Sequence, residues 1–235
     1  VVTKAFVTAQ GIAEGMKRER YDQAKRRRMV AGHMILGISG ASGACLGLRA
    51  IELFAQSPDV EMLHLVVSPR AIQVARDEIS PAIRTAEDLV SHSGLPAERH
   101  RFLSIHPEGA VGAPISSGSF KTRGMAVLPC SAGTLGSIAN GISRGLLQRA
   151  ADVCLKERRR LILGFRETPY SEIHAENILR VTRAGAIVAP PVPAFYATRT
   201  TADMLDAYLL RVADLLDIRI DTKDYRWTGT TAGMP

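Results

Sequence analysis

The sequence has no apolar run near the roughly 18 residues that a membrane-spanning helix requires, so no span is expected. Its first residues show no apolar segment ahead of a small-residue cleavage site, and a secretory signal is not expected either. Cysteine is scarce. Cys45, Cys130 and Cys154 form neither a CxxC pair nor an even-numbered framework, which fits reduced thiols in a cytoplasmic protein better than a disulfide scaffold. No GK[ST] follows a glycine-rich turn and no GxGxxG occurs, so neither a P-loop nor the dinucleotide fingerprint is supported. Repeats and low-complexity linkers are missing too. With 46% hydrophobic residues in 235, the chain can bury one sizeable core.

The formal charge of +7 suggests nucleic acid until it is located. Residues 1–33 carry eight Lys/Arg against three Asp/Glu, and the rest carry 22 against 20. The excess therefore sits in an amino-terminal extension, 1–33, around Lys17-Arg18-Glu19-Arg20 and Lys25-Arg26-Arg27-Arg28. Such runs are solvated arms more often than nucleic-acid surfaces, and no nucleic-acid partner is expected. Glu14, Glu19 and Asp22 argue against a transit peptide.

From Met34 onward short apolar runs alternate with helix-like segments. Strands are predicted over 34–39, 62–67, 125–128, 161–165 and 186–189, and helices over 44–56, 69–79, 135–142, 146–157, 171–183 and 201–216. Continuously apolar strands between helices predict a doubly wound α/β fold: one parallel sheet with helices on both faces, in a single domain over 34–218 followed by a tail, 219–235. The segment 85–119 carries turn residues and no readable element.

Open parallel sheets bind ligands beyond the carboxyl ends of their strands, and the informative residues fall there. Gly37-Ile-Ser-Gly40-Ala41-Ser42-Gly43 follows a strand and opens a helix, where glycines let backbone approach a phosphate and free N–H groups attract anions. A plain tight turn is the alternative. Pro129-Cys130-Ser131 and Thr134 stand at another strand end, where the hydroxyls cap a helix or bind a phosphate or flavin edge. Arg149, Asp152 and Lys156 share a helical face, either as a phosphate site or as a solvated ion-paired surface. Arg166-Glu167-Thr168-Pro169 directly follows a strand, and Tyr196 follows a proline-stiffened loop, 190–193.

Gly40-Ala41-Ser42-Gly43-Ala44, Ser117-Gly118-Ser119-Phe120, Pro129-Cys130-Ser131, Arg149-Ala-Ala-Asp-Val, Lys156-Glu157-Arg158, Arg166-Glu167-Thr168-Pro169 and Pro193-Ala194-Phe195-Tyr196 come in the order found in one family. On these motifs, from about Met34 to Ile218, the chain resembles the UbiX-like flavin prenyltransferases. The resemblance implies a flavodoxin-like subunit in a homo-oligomer larger than a dimer. It implies reduced FMN as acceptor, dimethylallyl phosphate or diphosphate as donor, and prenylated FMN, closed into a fourth ring between N5 and C6, delivered to a UbiD-type decarboxylase. No metal is needed. By motif, Gly40, Ala41, Ser42, Ser68, Ser131, Thr134 and Arg149 are implied to contact the flavin, with Ser42 near its phosphate end and reaching the reaction centre. Lys156, Arg166, Glu167, Tyr196 and Arg211 are implied to grip the prenyl phosphate. Ser42, Glu78, Lys156 and Glu167 are implied to be catalytic, and Trp227 corresponds to a tail tryptophan near the site.

These residue types suit the chemistry. Cleaving an allylic C–O bond builds charge on the leaving oxygen, which Lys156, Arg166 and Arg211 would stabilise, while Glu167 beside a phosphate is either protonated or organises the cations and shuttles a proton. Two other readings stay open. A flavin carrier of the same fold would not need the charged cluster. Cysteine decarboxylases of that fold carry a histidine after the first strand and a PxMNxxMW-type loop, and neither is evident here.

Overall fold

The computed structural model describes residues 32–195, 198–227 and 229. Six parallel strands form one sheet in the order β3-β2-β1-β4-β5-β6. They are β1 (Gly32–Ile38), β2 (Val60–Val67), β3 (Leu103–His106), β4 (Gly124–Cys130), β5 (Arg160–Phe165) and β6 (Ile187–Val188). Helices α1 (Ala44–Ala55), α2 (Pro69–Glu78), α3 (Ala86–Ser91), α4 (Ala132–Ala139), α5 (Leu146–Lys156), α6 (Glu172–Ala184) and α7 (Thr201–Leu216) make the connections.

The apolar pattern explains the layering. Along β1, Met34, Leu36 and Ile38 enter one core with Ile51 and Phe54 of α1 and Leu209 of α7, while Ile35 faces the opposite core with Leu147 of α5 and Leu163 of β5. All seven residues of β4 are buried, which is why its sequence is apolar without alternation. Helix boundaries follow local chemistry. Ser68, Ser131, Ser171 and Thr200 each cap a helix by accepting a backbone N–H, and Gly185 ends α6 in the left-handed region at φ 108°.

The predicted elements are present with ends moved by up to three residues. The segment 85–119, unreadable in the sequence, contains α3, two short 3₁₀ turns and the edge strand β3. Leu103-Ser104-Ile105-His106 is only four residues long and half-buried throughout. So short an alternation gives little periodic signal, and it pairs only because β2 presents a free edge.

On the sheet face above β1, β2 and β3, three histidines form a ladder. His33 Nδ1 lies 2.9 Å from His64 Nε2, and His64 Nδ1 lies 2.9 Å from His106 Nε2. Phe120 packs edge-on against His33 and His64. Burial, then the neighbouring His106 and His33, push the pKa of His64 down to about 4.

Candidate active site

The carboxyl ends of four strands are stitched into a rim. Ser68 N–H donates to the Ile38 carbonyl at 2.9 Å, Ser39 N–H to the Pro129 carbonyl at 3.2 Å, and Arg166 N–H to the Cys130 carbonyl at 3.0 Å. These bonds bring the turns after β2, β1, β4 and β5 side by side, and with them Ser68, Gly40–Gly43, Ser131 and Arg166. Gly40 allows this closeness, because a Cβ there would overlap the Arg70 Cβ of α2.

The start of α1 holds a side chain that sequence spacing could not place there. Gly43, at φ 103°, turns its N–H and that of Ala44 toward α2. Glu78, the last residue of α2, accepts from Gly43 N–H at 2.9 Å and from Ala44 N–H at 2.8 Å. Burial opposes ionisation of Glu78. The Ser42 hydroxyl, the two N–H groups and the nearby Arg166 outweigh it and hold the carboxyl below its ordinary value. Ser42, Glu78 and Arg166 thus converge. The anion-attracting start of α1 is already filled by a carboxylate.

The starts of α2 and α4 carry neutral caps instead. Ser68 is nearly buried and accepts from Ala71 N–H at 3.1 Å. Ser131 accepts from Thr134 N–H at 3.3 Å and donates to the Thr134 hydroxyl at 3.1 Å. Capping, one of the two readings of these hydroxyls, is therefore present. Cys130 is fully buried, its thiol pushed up to about 12 by that burial, which suits packing and not nucleophilic attack.

The residues expected to grip the prenyl phosphate are spread out. Arg166 is exposed, and Glu167 accepts from its neighbour Thr168 N–H at 3.1 Å. Arg149 pairs with Asp152 at 2.7 Å and donates to the Ser116 carbonyl at 3.1 Å. Lys156 ends α5 and pairs with Glu157 above Gly118, while Arg159 binds the carbonyls of Gly118 and Phe120 just before β4 begins. That is the amino end of the sheet. The rim with Arg166 and Glu167 lies the length of β5 away, about 20 Å at ~3.3 Å per residue. Within one chain, Lys156 does not join Arg166 and Glu167.

Arg211, in the third turn of α7, lines a cleft of about 520 Å³ with Tyr208, Val192, Tyr225, Arg226 and Trp227. The tail is strapped there by Tyr225 O–H to Asp203 at 2.8 Å and Arg226 to Asp214 at 2.6 Å, which sets Trp227 over the cleft. A second cleft of about 570 Å³ opens beside Ser68, between Arg76, Arg84, His106 and Glu108. Both are of a size common for small-molecule sites. Tyr196 lies outside the described residues, as do residues 1–31.

Sequence reasoning missed Ser39. Its side chain is 2% exposed, and its hydroxyl donates to the Pro129 carbonyl at 3.0 Å and accepts from Ser131 N–H at 2.8 Å. The available signal was a hydroxyl residue closing an apolar strand, since a buried hydroxyl needs partners.

A model of the Flavoprotein family matches residues 22–221. The chain is 46% identical over 198 residues to the flavin prenyltransferase UbiX of Neisseria meningitidis serogroup B, covering 83% of this chain and 96% of that one. Among solved structures it resembles AnUbiX (PadA1) in complex with FMN and dimethylallyl pyrophosphate, with TM-score 0.71, 38% identity, and 86% and 100% of the two chains covered. It also resembles a dodecameric FMN-dependent UbiX-like decarboxylase from Escherichia coli O157:H7, with TM-score 0.73, 38% identity, and 84% and 100% covered. The parallel sheet, the rim of small hydroxyl residues and these likenesses agree, and the chain belongs to the Flavoprotein family and, within it, to the UbiX-like flavin prenyltransferases.

Proposed function

We propose that this chain transfers a dimethylallyl group from dimethylallyl phosphate or diphosphate to reduced FMN, at N5 and then C6, making prenylated FMN for a UbiD-type decarboxylase. The observation that carries the reading is the convergence of Ser42, Glu78 and Arg166 on a rim flanked by hydroxyl-capped helix starts, in a chain so similar to flavin prenyltransferases.

The residues fit a flavin mononucleotide in one orientation. A phosphate is repelled by Glu78 at the start of α1, whereas the starts of α2 and α4 carry no acidic side chain and present the hydroxyls of Ser68, Ser131 and Thr134. This supports giving Ser42 to the reacting end and not to the phosphate. When bound, the reduced flavin supplies the electron-rich nucleophile. The protein's part is positional and electrostatic. Glu78, held ionised, orients the Ser42 hydroxyl and can take a proton through it. Arg166, Arg211 and Lys156 stabilise charge on the leaving phosphate, Glu167 moves a proton among them, and Tyr196 closes the site.

Lys156 lies at the far end of its own sheet, so a neighbouring subunit supplies it in this reading, within a homo-oligomer larger than a dimer. The dodecameric assembly of the similar Escherichia coli protein supports this. No described helix is long and apolar enough to cross a membrane, which agrees with work in the cytoplasm. The catalytic domain spans 34–218.

Mass spectrometry of flavin after anaerobic incubation with reduced FMN and either donor tests the activity. One added five-carbon unit is expected. Unmodified FMN with both donors refutes the transfer and favours a flavin carrier.

A further inference from the structure

We propose that Ser39 is a positioning residue that sets the spacing between the two turns taken here to hold the flavin; the inference rests on the function proposed above. Those turns are Gly40–Gly43, carrying Ser42 after β1, and Ser131–Thr134 after β4. They come from strands adjacent in space but 90 residues apart in sequence.

A single hydroxyl fills both halves of the join. It donates to the Pro129 carbonyl at 3.0 Å and accepts from Ser131 N–H at 2.8 Å, and it is almost fully buried. The two bonds are not equivalent. The Pro129 carbonyl has a second donor in the Ser39 backbone N–H at 3.2 Å. The bond from Ser131 N–H depends on the hydroxyl itself. Losing it therefore falls on Ser131, the residue whose side chain caps α4 and bonds Thr134. A partly buried N–H left without an acceptor moves toward water or toward another oxygen. Either movement shifts Ser131 and Thr134 relative to Ser42.

The side-chain requirements are narrow. Alanine supplies neither bond. Cysteine fills the volume with a longer, weakly bonding thiol. Threonine keeps the hydroxyl. The effect falls first on Ser131 and Thr134, and reaches Arg166 more weakly, because the Cys130 carbonyl that accepts from Arg166 N–H shares one peptide group with Ser131 N–H.

The test uses the full-length protein in its native assembly. FMN affinity is measured by quenching of flavin fluorescence at 25 °C, beside thermal unfolding and steady-state kinetics, for the parent, Ser39→Ala, Ser39→Cys and Ser39→Thr. Ser39→Ala and Ser39→Cys are expected to weaken FMN roughly tenfold, because returning a displaced Ser131 to its place on binding draws on the affinity. Ser39→Thr should stay within about threefold of the parent. The KM for FMN should rise much more than kcat falls and more than the KM for the prenyl donor rises. Should Ser39→Ala fail to fold, Ser39→Cys against Ser39→Thr decides. Equal FMN affinity in folded alanine or cysteine variants and the parent overturns the proposal alone. A parent that does not bind FMN overturns the functional reading and this proposal with it.

Discussion

If Lys156 serves a neighbour's Arg166 and Glu167, two inactive variants should repair one another. Lys156 closes α5 beside Gly118, at the amino end of the sheet, and Glu167 follows β5 at the carboxyl end. The six residues of β5 between those ends span about 20 Å, more than a lysine side chain can reach. Lys156→Ala removes one electrostatic donor and should cost roughly 10²–10³ in turnover. Glu167→Gln keeps shape and removes an ionisable group. Each homogeneous variant has the same lesion in every site. In a randomly mixed assembly at equal ratio, a site is intact when its own chain keeps Glu167 and its donor keeps Lys156, which holds for about one quarter of sites in a symmetric oligomer. The assay is prenylated FMN formed per minute after the variants are unfolded together and refolded, or co-expressed with different tags and purified through both. Recovery to about a quarter of parental activity is expected. If the mixture stays at the level of the separate variants while mixed oligomers are demonstrated, the two residues serve one chain and the reasoning from strand length fails.

Other outcomes follow from single sites. Glu78→Gln should lose about 0.3–1 kcal/mol of stability, the usual size for a solvent-screened charge at a helix start, read as a lower Tm, together with most activity. Its carboxyl is held below the ordinary value, so the contribution is present above about pH 4.5 and fades as pH falls through the lower folded value; an unchanged Tm and rate would remove Glu78 from the site. The histidine ladder has the opposite charge logic and the same direction. His64 titrates near 4 when folded and near 6.5 when unfolded, so between those values the unfolded chain binds more protons. Stability is full above about pH 6.5 and declines toward pH 4, and Tm against pH should flatten in His64→Gln. Equilibrium binding should favour FMN over NAD, since the Gly37–Gly43 turn lacks the dinucleotide spacing; a preference for NAD would contradict the site assignment.

The sequence alone determined the fold class and the pole of the sheet where chemistry sits. Apolar runs such as Met125–Cys130 are readable because a strand buried on both faces needs no polar alternation. Helix starts are readable because capping is local: Ser68, Ser131 and Thr200 bond an N–H three residues ahead. The family resemblance rests partly on motifs at that pole, such as Gly40–Ala44, Pro129–Ser131 and Arg166–Pro169, and partly on Ser117–Phe120 and Lys156–Arg158 at the opposite end of the sheet. Only the tertiary structure decided what meets across chain distance. Glu78 reaches Gly43 and Ala44 from 34–35 residues away, and Ser39 reaches Ser131 from 92. Nothing local marks either contact, since a glutamate closing a helix and a serine closing a strand are ordinary in both positions. Likewise β3 exists because β2 offers it an edge, and His33, His64 and His106 align because three strands lie in register. Lys156, close in sequence to Arg166, is held apart from it by the stiffness of one strand. Short-range bonding and burial are written residue by residue, whereas the separation and convergence of charges depend on how the strands are ordered in the sheet.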